Sequence, residues 1–402
     1  MTELPEPVRP DDPPPTARPK VSPDDRFSPT VVREGPPETP AGWVDMDRVR
    51  ANLARVMEYM SAHRLDWRPH VKTHKSPWLA RLQLEAGACG LTVATPREAE
   101  VMATVASDLV LAHPPVGRKA ERVVRIAPSV RLRVALDSVE SLRILEAAAH
   151  SAGREVGILV EVDAGMGRVG VPDGSAAVAL ARAAESSPSL TFDGVLFYPG
   201  HIRTTGEERD RRIRRTSDRL LGFLSVLESD GLPAEIVSGG STPTLWESHH
   251  FEGVTEVRAG TCIFHDRDMV QLGVASPEEV AYWVEASVVS VVPGVRAVVD
   301  AGSKALSKEA FRGEGQGFAV LMDPPQLAVG SLSEEHGVID LEGSDWSPAV
   351  GDRVRILPNH VCVSVNLQDR LLLGPDSADS SLRALPLPGR GRLLWSGERR
   401  PS

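Results

Sequence analysis

Lysine is scarce in this chain: its 45 basic residues divide into 39 arginines and six lysines. Cysteine is scarcer still. Cys89, Cys262 and Cys362 are too few and too scattered for a disulfide framework, so reduced thiols and a cytoplasmic location are expected. No apolar run reaches membrane-spanning length, and the N-terminal stretch lacks the apolar core of a secretory signal. Positive charge is also in deficit. The net charge is −10, and the densest basic run, RDRRIRR at 209–215, falls in a helical pattern that reads as a solvated face. These absences argue against a nucleic-acid or membrane partner.

The composition that is present divides the chain. Residues 1–38 hold 11 of the 33 prolines and few large apolar side chains, the signature of a disordered tail. From 39 to 275, short apolar runs alternate with helical segments. Strands are expected at 68–73, 91–94, 109–113, 133–137, 156–163, 191–198, 235–239 and 256–260, with a further short apolar run, WVDM, at 43–46. Strands alternating with helices imply a parallel sheet, and eight of them make the α/β fold of a (β/α)8 TIM-type barrel. An open doubly wound sheet is the structural alternative. Residues 276–390 change character: runs such as VEASVVSVV, RAVVDAG and HGVIDL, punctuated by Gly, Pro and Asp, read as a C-terminal all-β domain. Residues 391–402 read as a frayed end.

Two of the six lysines stand together in RPHVKTHK, residues 68–75. Arginine keeps its proton and is a poor nucleophile, whereas lysine can be neutralised and can condense with an aldehyde. Lys72 falls at the C-terminal end of the first barrel strand, the rim where such barrels carry their active sites. Alternation along a strand puts His70, Lys72 and His74 on one face. After the seventh strand, VSGGSTPT (237–244) ends in two glycines and opens a helical turn, and RAGT (258–261) ends the eighth strand in the same style. Glycines admit an anion close to backbone N–H groups, and the loops after strands seven and eight are the usual phosphate site of this barrel. A reactive lysine with a phosphate cradle suggests pyridoxal phosphate. Arg168, in EVDAGMGRVGV, could hold its phenolic oxygen. Tyr198 and His201, in FYPGH, could contact the ring or move protons. In the β domain PNHVC places His360 and Cys362 two apart, on one side of a strand; imidazole with thiolate suits zinc, and two ligands leave coordination positions for water and substrate.

RPHVKTHK, EVDAGMGRVGV, FYPGH, VSGGSTPT, TEVRAGT, VVDAGSKALS, SEEHG and PNHVC, in this order, resemble the D-threonine aldolase / D-serine dehydratase family of fold-type III pyridoxal-phosphate enzymes, whose architecture is that of alanine racemase. The resemblance runs from about Thr39 to about Leu373. It implies that Lys72 carries the cofactor aldehyde and that His360 and Cys362 bind a divalent metal, zinc first, with manganese or magnesium as alternatives. Around the cofactor it puts Arg168, Tyr198, Gly239, Gly240, Ser241 and Thr242. It also implies backbone N–H groups of Gly260, Thr261 and Cys262 at the phosphate, and a homodimer. Family members often have Tyr where this chain has Cys262.

The same resemblance implies a β-hydroxy D-amino acid as substrate and leaves a fork. Loss of the hydroxyl gives a 2-oxo acid and ammonia, with Lys72 as the simplest base at Cα. Retro-aldol cleavage gives glycine and an aldehyde, with His201 as a candidate base. A His-x-Cys pair resembles the dehydratase branch and His-x-Asp the aldolase branch, so a D-serine or D-threonine dehydratase is expected. A racemase and a non-catalytic cofactor-binding protein are the remote alternatives.

Overall fold

A computed structural model describes residues 27–32, 37–313, 315–323, 326–374 and 381–393. Most of the expected N-terminal tail and the end of the chain from 394 lie outside the described residues. Two short strands precede the barrel: β1 (Thr30–Val31) and β2 (Ala41–Val44). The barrel strands follow as β3 (Asp66–Trp67), β4 (Leu91–Val93), β5 (Asp108–Leu111), β6 (Arg131–Leu136), β7 (Val156–Glu161), β8 (Leu190–Leu196), β9 (Ile236–Gly239) and β10 (Glu256–Val257). They form one all-parallel sheet in the order β3-β10-β9-β8-β7-β6-β5-β4. A parallel bridge between His70 and Thr92 closes the two ends, so the eight expected strands make a barrel.

Alternation within the strands sorts their side chains into two layers. Leu109, Leu111, Val134, Ile158, Val160 and Val195 pack outward against the helices. Val110, Ala135, Leu159 and Leu196 meet inside the barrel. Below them, at the N-terminal ends of the strands, buried arginines fill the floor. Arg68 pairs with Glu256 at 2.8 Å and with Asp108, and Arg133 pairs with Asp108 at 2.8 Å and with Asp193. A floor of ion pairs beneath an apolar plug closes the barrel interior from below.

The second domain begins with β11 (Tyr282–Val292) and β12 (Arg296–Val299), and continues through β13 (Ala319–Leu321), β14 (Ala328–Leu332), β15 (Gly337–Asp340) and β16 (Arg353–Pro358). The ladder β11-β12-β15-β14-β13-β16 returns to β11 and closes an antiparallel barrel. β17 (Arg370–Leu373) and β18 (Arg383–Pro386) extend it. This domain is built from both ends of the chain, which corrects two expectations. β2 pairs with β11 and β17, so residues 41–44 belong to the second sheet and not to the barrel. β1 pairs with β18, so Thr30 and Val31 are ordered although they fall in a segment read as a disordered tail. Backbone hydrogen bonding to a distant strand leaves no local compositional trace, which is why neither was visible.

Candidate active site

A cavity of about 640 Å³ lies at the C-terminal rim, walled on one side by His360, Cys362 and Arg312 of the second domain. Its residues come from the loops after almost every barrel strand, as the closure of the barrel dictates.

The first expected strand, 68–73, does not form as read: β3 lies before it, and only a bridge at His70 continues the ladder. β3 ends at Trp67, and Pro69, which has no N–H to give the ladder, offers its carbonyl to Thr92 N at 2.9 Å. Val71–Thr73 then coil into a 3-10 turn. His74 and Lys75 donate their N–H groups to Val71 O at 3.1 and 2.8 Å, and Lys75 turns left-handed at φ 53°. The neighbouring strand, β10, ends in the same turn. Phe264 and His265 donate to Thr261 O at 3.0 and 2.8 Å, with His265 at φ 55°.

The turn corrects the expected single face. Lys72 lines the cavity, with its Nζ 5.8 Å from the Tyr198 ring centroid and no carboxylate partner among the described residues. His74 points away into Gln83 at 3.1 Å, and burial pushes it down to about 4. Lys75 is 9 % exposed and ion-paired at 2.7 Å to Glu98, itself fully buried. Of the two lysines, only Lys72 is free to react. Removing Glu98 strands a buried ammonium, so Glu98→Ala is expected to cost about 3–5 kcal/mol. Chemical denaturation checks this, and an unchanged midpoint would refute it.

Tyr198 is flanked by two cations, since the Arg168 guanidinium carbon lies 4.9 Å from its ring centroid. Arg168 is 4.0 Å from Glu161, whose carboxyl is raised by burial against the pull of Arg258 and Arg168. Gly240 takes φ 79°, and Gly260 passes so close to His70 that a Cβ would sit 2.3 Å from its carbonyl oxygen. Thr242 Oγ1 accepts the Thr261 N–H at 3.1 Å and ties the two glycine loops together. A 3-10 turn opens at Thr242, whose N–H has no partner in the turn; Pro243 has none to give, and Thr244 donates to Ser241 O at 3.3 Å. Gly240, Ser241, Thr242, Gly260 and Thr261 all line the cavity.

Three expected site residues do not line it. Gly239 is a glycine because of Phe197, whose ring would lie 2.1 Å from a Cβ there. The Cys262 side chain is buried against Ala259 O, 3.6 Å away, so only its backbone could serve a ligand. His201 follows the turn after Tyr198 and faces Gly165, 3.5 Å from the site of a Cβ; burial, then Arg212, lowers its pKa.

At the second-domain wall, His360 is not on a strand as expected. β16 stops at Pro358, and a helix, Val361–Leu367, begins with extended His360 as its N-cap. Asp266 Oδ2 accepts the Val361 N–H at 3.0 Å and lies 3.3 Å from His360 Nδ1. Burial opposes the charge on His360, yet the facing Cys362 and Asp266 raise it to about 11. Burial likewise opposes the thiolate, while His360, Lys72 and Thr73 bring Cys362 down to about 7. The pair can exchange its shared proton for a cation. Among the described residues no group of three His, Cys, Asp or Glu converges with metal-ligand spacing.

Arg258 was missed in the sequence. It is 6 % exposed, lines the cavity, donates to Phe197 O, and leaves its Nε without a partner. A second charged residue, after Glu256, within the short expected strand 256–260 was the available signal. His70 Nδ1 is likewise buried and unpartnered. Orphaned buried donors beside a free lysine and a glycine cradle fit a phosphorylated aromatic aldehyde.

The chain matches the family model described as alanine racemase, N-terminal domain, over residues 44–268, and a serine dehydratase domain over residues 281–373. It belongs to the D-threonine aldolase / D-serine dehydratase family. As a member it is a pyridoxal-phosphate-dependent lyase of alanine racemase-like fold. It is 30% identical to a D-threonine aldolase of Arthrobacter sp over 362 residues, 88% of this chain and 94% of that one. It is 32% identical to a D-threo-3-hydroxyaspartate dehydratase of Delftia sp. over 348 residues, 81% and 91% of the two chains. The crystal structure of D-threonine aldolase from Filomicrobium marinum superposes with a TM-score of 0.81 at 29% identity, covering 89% of this chain and 96% of the other. A cysteine-to-alanine variant of D-threo-3-hydroxyaspartate dehydratase in the metal-free form gives 0.79 at 30%, covering 89% and 98%. Among the described residues no helix is long and apolar enough to cross a membrane.

Proposed function

We propose that the chain dehydrates β-hydroxy D-amino acids, D-serine or D-threonine first, to a 2-oxo acid and ammonia, using pyridoxal phosphate and a divalent metal, zinc first. The observation that carries this is the His360–Cys362 pair on the wall of the cavity that Lys72 enters. Lys72 would hold the aldehyde, the loops at Gly240–Thr242 and Gly260–Thr261 the phosphate, Arg168 the phenolic oxygen and Arg258 the ring nitrogen. Bound pyridoxal phosphate supplies an electron sink for charge developing at Cα. His360 and Cys362 would hold the cation, which supplies Lewis acidity toward the β-hydroxyl.

The remaining work falls to the chain. Lys72, which has no carboxylate partner among the described residues, removes the Cα proton at Nζ. Tyr198 walls the cavity beside it, with Gly200 vacating the space that a Cβ would take 2.2 Å from the ring. A second cavity of about 570 Å³ shares Lys72, His113 and Cys362 with the first, and Lys119, Arg97 and Arg392 line it. That positive mouth suits the carboxylate of an incoming amino acid.

A thiolate ligand supports dehydration over cleavage, as does the relative named D-threo-3-hydroxyaspartate dehydratase at 32% identity. The second reading is aldol cleavage, favoured by relatives named D-threonine aldolase and 3-hydroxy-D-aspartate aldolase at 30% identity. The test is product analysis from D-threonine with and without a chelator. Chelator-sensitive 2-oxobutanoate and ammonia are expected. Glycine with acetaldehyde would overturn the dehydratase reading.

A further inference from the structure

We propose that Thr73 and Thr261 are positioning residues for a metal-binding Cys362, and that Thr73 ties that ligand to the turn carrying Lys72. This rests on the reading of His360 and Cys362 as metal ligands. Thr73 Oγ1 lies 3.3 Å from Cys362 Sγ, and Thr261 Oγ1 lies 3.6 Å from it. Among the described residues neither hydroxyl has another hydrogen-bond partner. They come from the two copies of one turn: Thr73 ends Val71–Thr73 and Thr261 begins Thr261–Ile263. The strands beneath these turns, β3 and β10, are paired in the barrel.

The chemistry fixes the direction of both bonds. A metal-bound thiolate has no proton to give, so both hydroxyls donate to it. Two such donors hold the sulfur lone pairs in place. Thr73 is 1 % exposed, and a buried hydroxyl without this acceptor would be left unsatisfied. Because Thr73 follows Lys72 directly, the base at Cα and the ligand that orients the cation move as one unit. Outer partners of metal ligands commonly govern affinity by 10–100-fold.

The test uses the full chain loaded with pyridoxal phosphate, and zinc competition against a chromophoric chelator. Thr73→Val and Thr261→Val should each weaken zinc by roughly 10-fold. Thr73→Ser and Thr261→Ser, which keep the hydroxyl, should restore it. Cofactor absorbance should be unchanged in the two Thr73 variants, which reports an intact Lys72 turn. Thr261 is only half-buried, so its variants remain readable if Thr73→Val misfolds. Wild-type zinc affinity in the valine variants would overturn the proposal, as would serine variants no better than valine. Cys362→Ala separates the two levels. If it keeps zinc, the metal-site reading itself falls; if it loses zinc while both valine variants keep it, only the role of the threonines falls.

Discussion

Lys72→Ala is expected to give a protein without the visible absorbance of a lysine-bound aldehyde and without measurable turnover. Loss of the base alone accounts for on the order of 10²–10⁴ in rate, and loss of the covalent anchor adds to it. The geometry favours Lys72 over Lys75. Lys72 lines the cavity beside Tyr198 with no acidic partner among the described residues, whereas Lys75 is committed to Glu98 at 2.7 Å. Lys75→Met should therefore keep the colour, whatever it costs in stability. Absorbance spectra of the two variants after incubation with cofactor decide it. Colour retained in Lys72→Ala, or lost only in Lys75→Met, would reassign the lysine.

Cys362→Ala should remove bound metal and lower dehydration by about 10²–10⁴-fold, a range borrowed from the loss of a single positioned catalytic group, while the lysine-bound colour persists. The separation follows from the layout. The proposed cofactor contacts come from the barrel loops, and the proposed metal donors from the helix at Val361–Leu367 and the residue before it. A site of two protein donors cannot spare one, so His360→Ala should behave alike. Metal content by elemental analysis and 2-oxobutanoate release from D-threonine are the two readouts. Full metal content in both variants would refute the assignment. Cys362→Asp asks a further question, because it keeps a donor and changes its type: a shift of products toward glycine and acetaldehyde would tie the branch of the reaction to the ligand.

The barrel was legible because its information is local. Apolar runs and helical periodicity repeat within a few residues, and the segments that they mark pair in a single parallel sheet. Lys72, Arg168, Tyr198 and the glycine loops were legible for a related reason: each sits just past a strand, and in this architecture those ends share one rim. What went wrong was equally specific. RPHVKT has the apolar alternation of a strand, but Pro69 interrupts the ladder and the chain coils, so His74 turns to Gln83. Gly239 and Gly240 look alike in sequence, yet one accommodates Phe197 and the other lines the cavity.

By itself, the sequence determined the two fold classes, their order, the family, and the residue types available for chemistry, because periodicity, composition and short motifs are properties of neighbouring residues. Only the tertiary structure decided which side chains meet. Asp266 beside His360, Thr73 on Cys362, Thr261 on Thr242, and Val31 paired with Arg383 join residues from tens to hundreds of positions apart. Such contacts depend on strand register, on turn geometry and on how two barrels pack together. None of these is encoded in any one segment, so they exist only once the whole chain has closed.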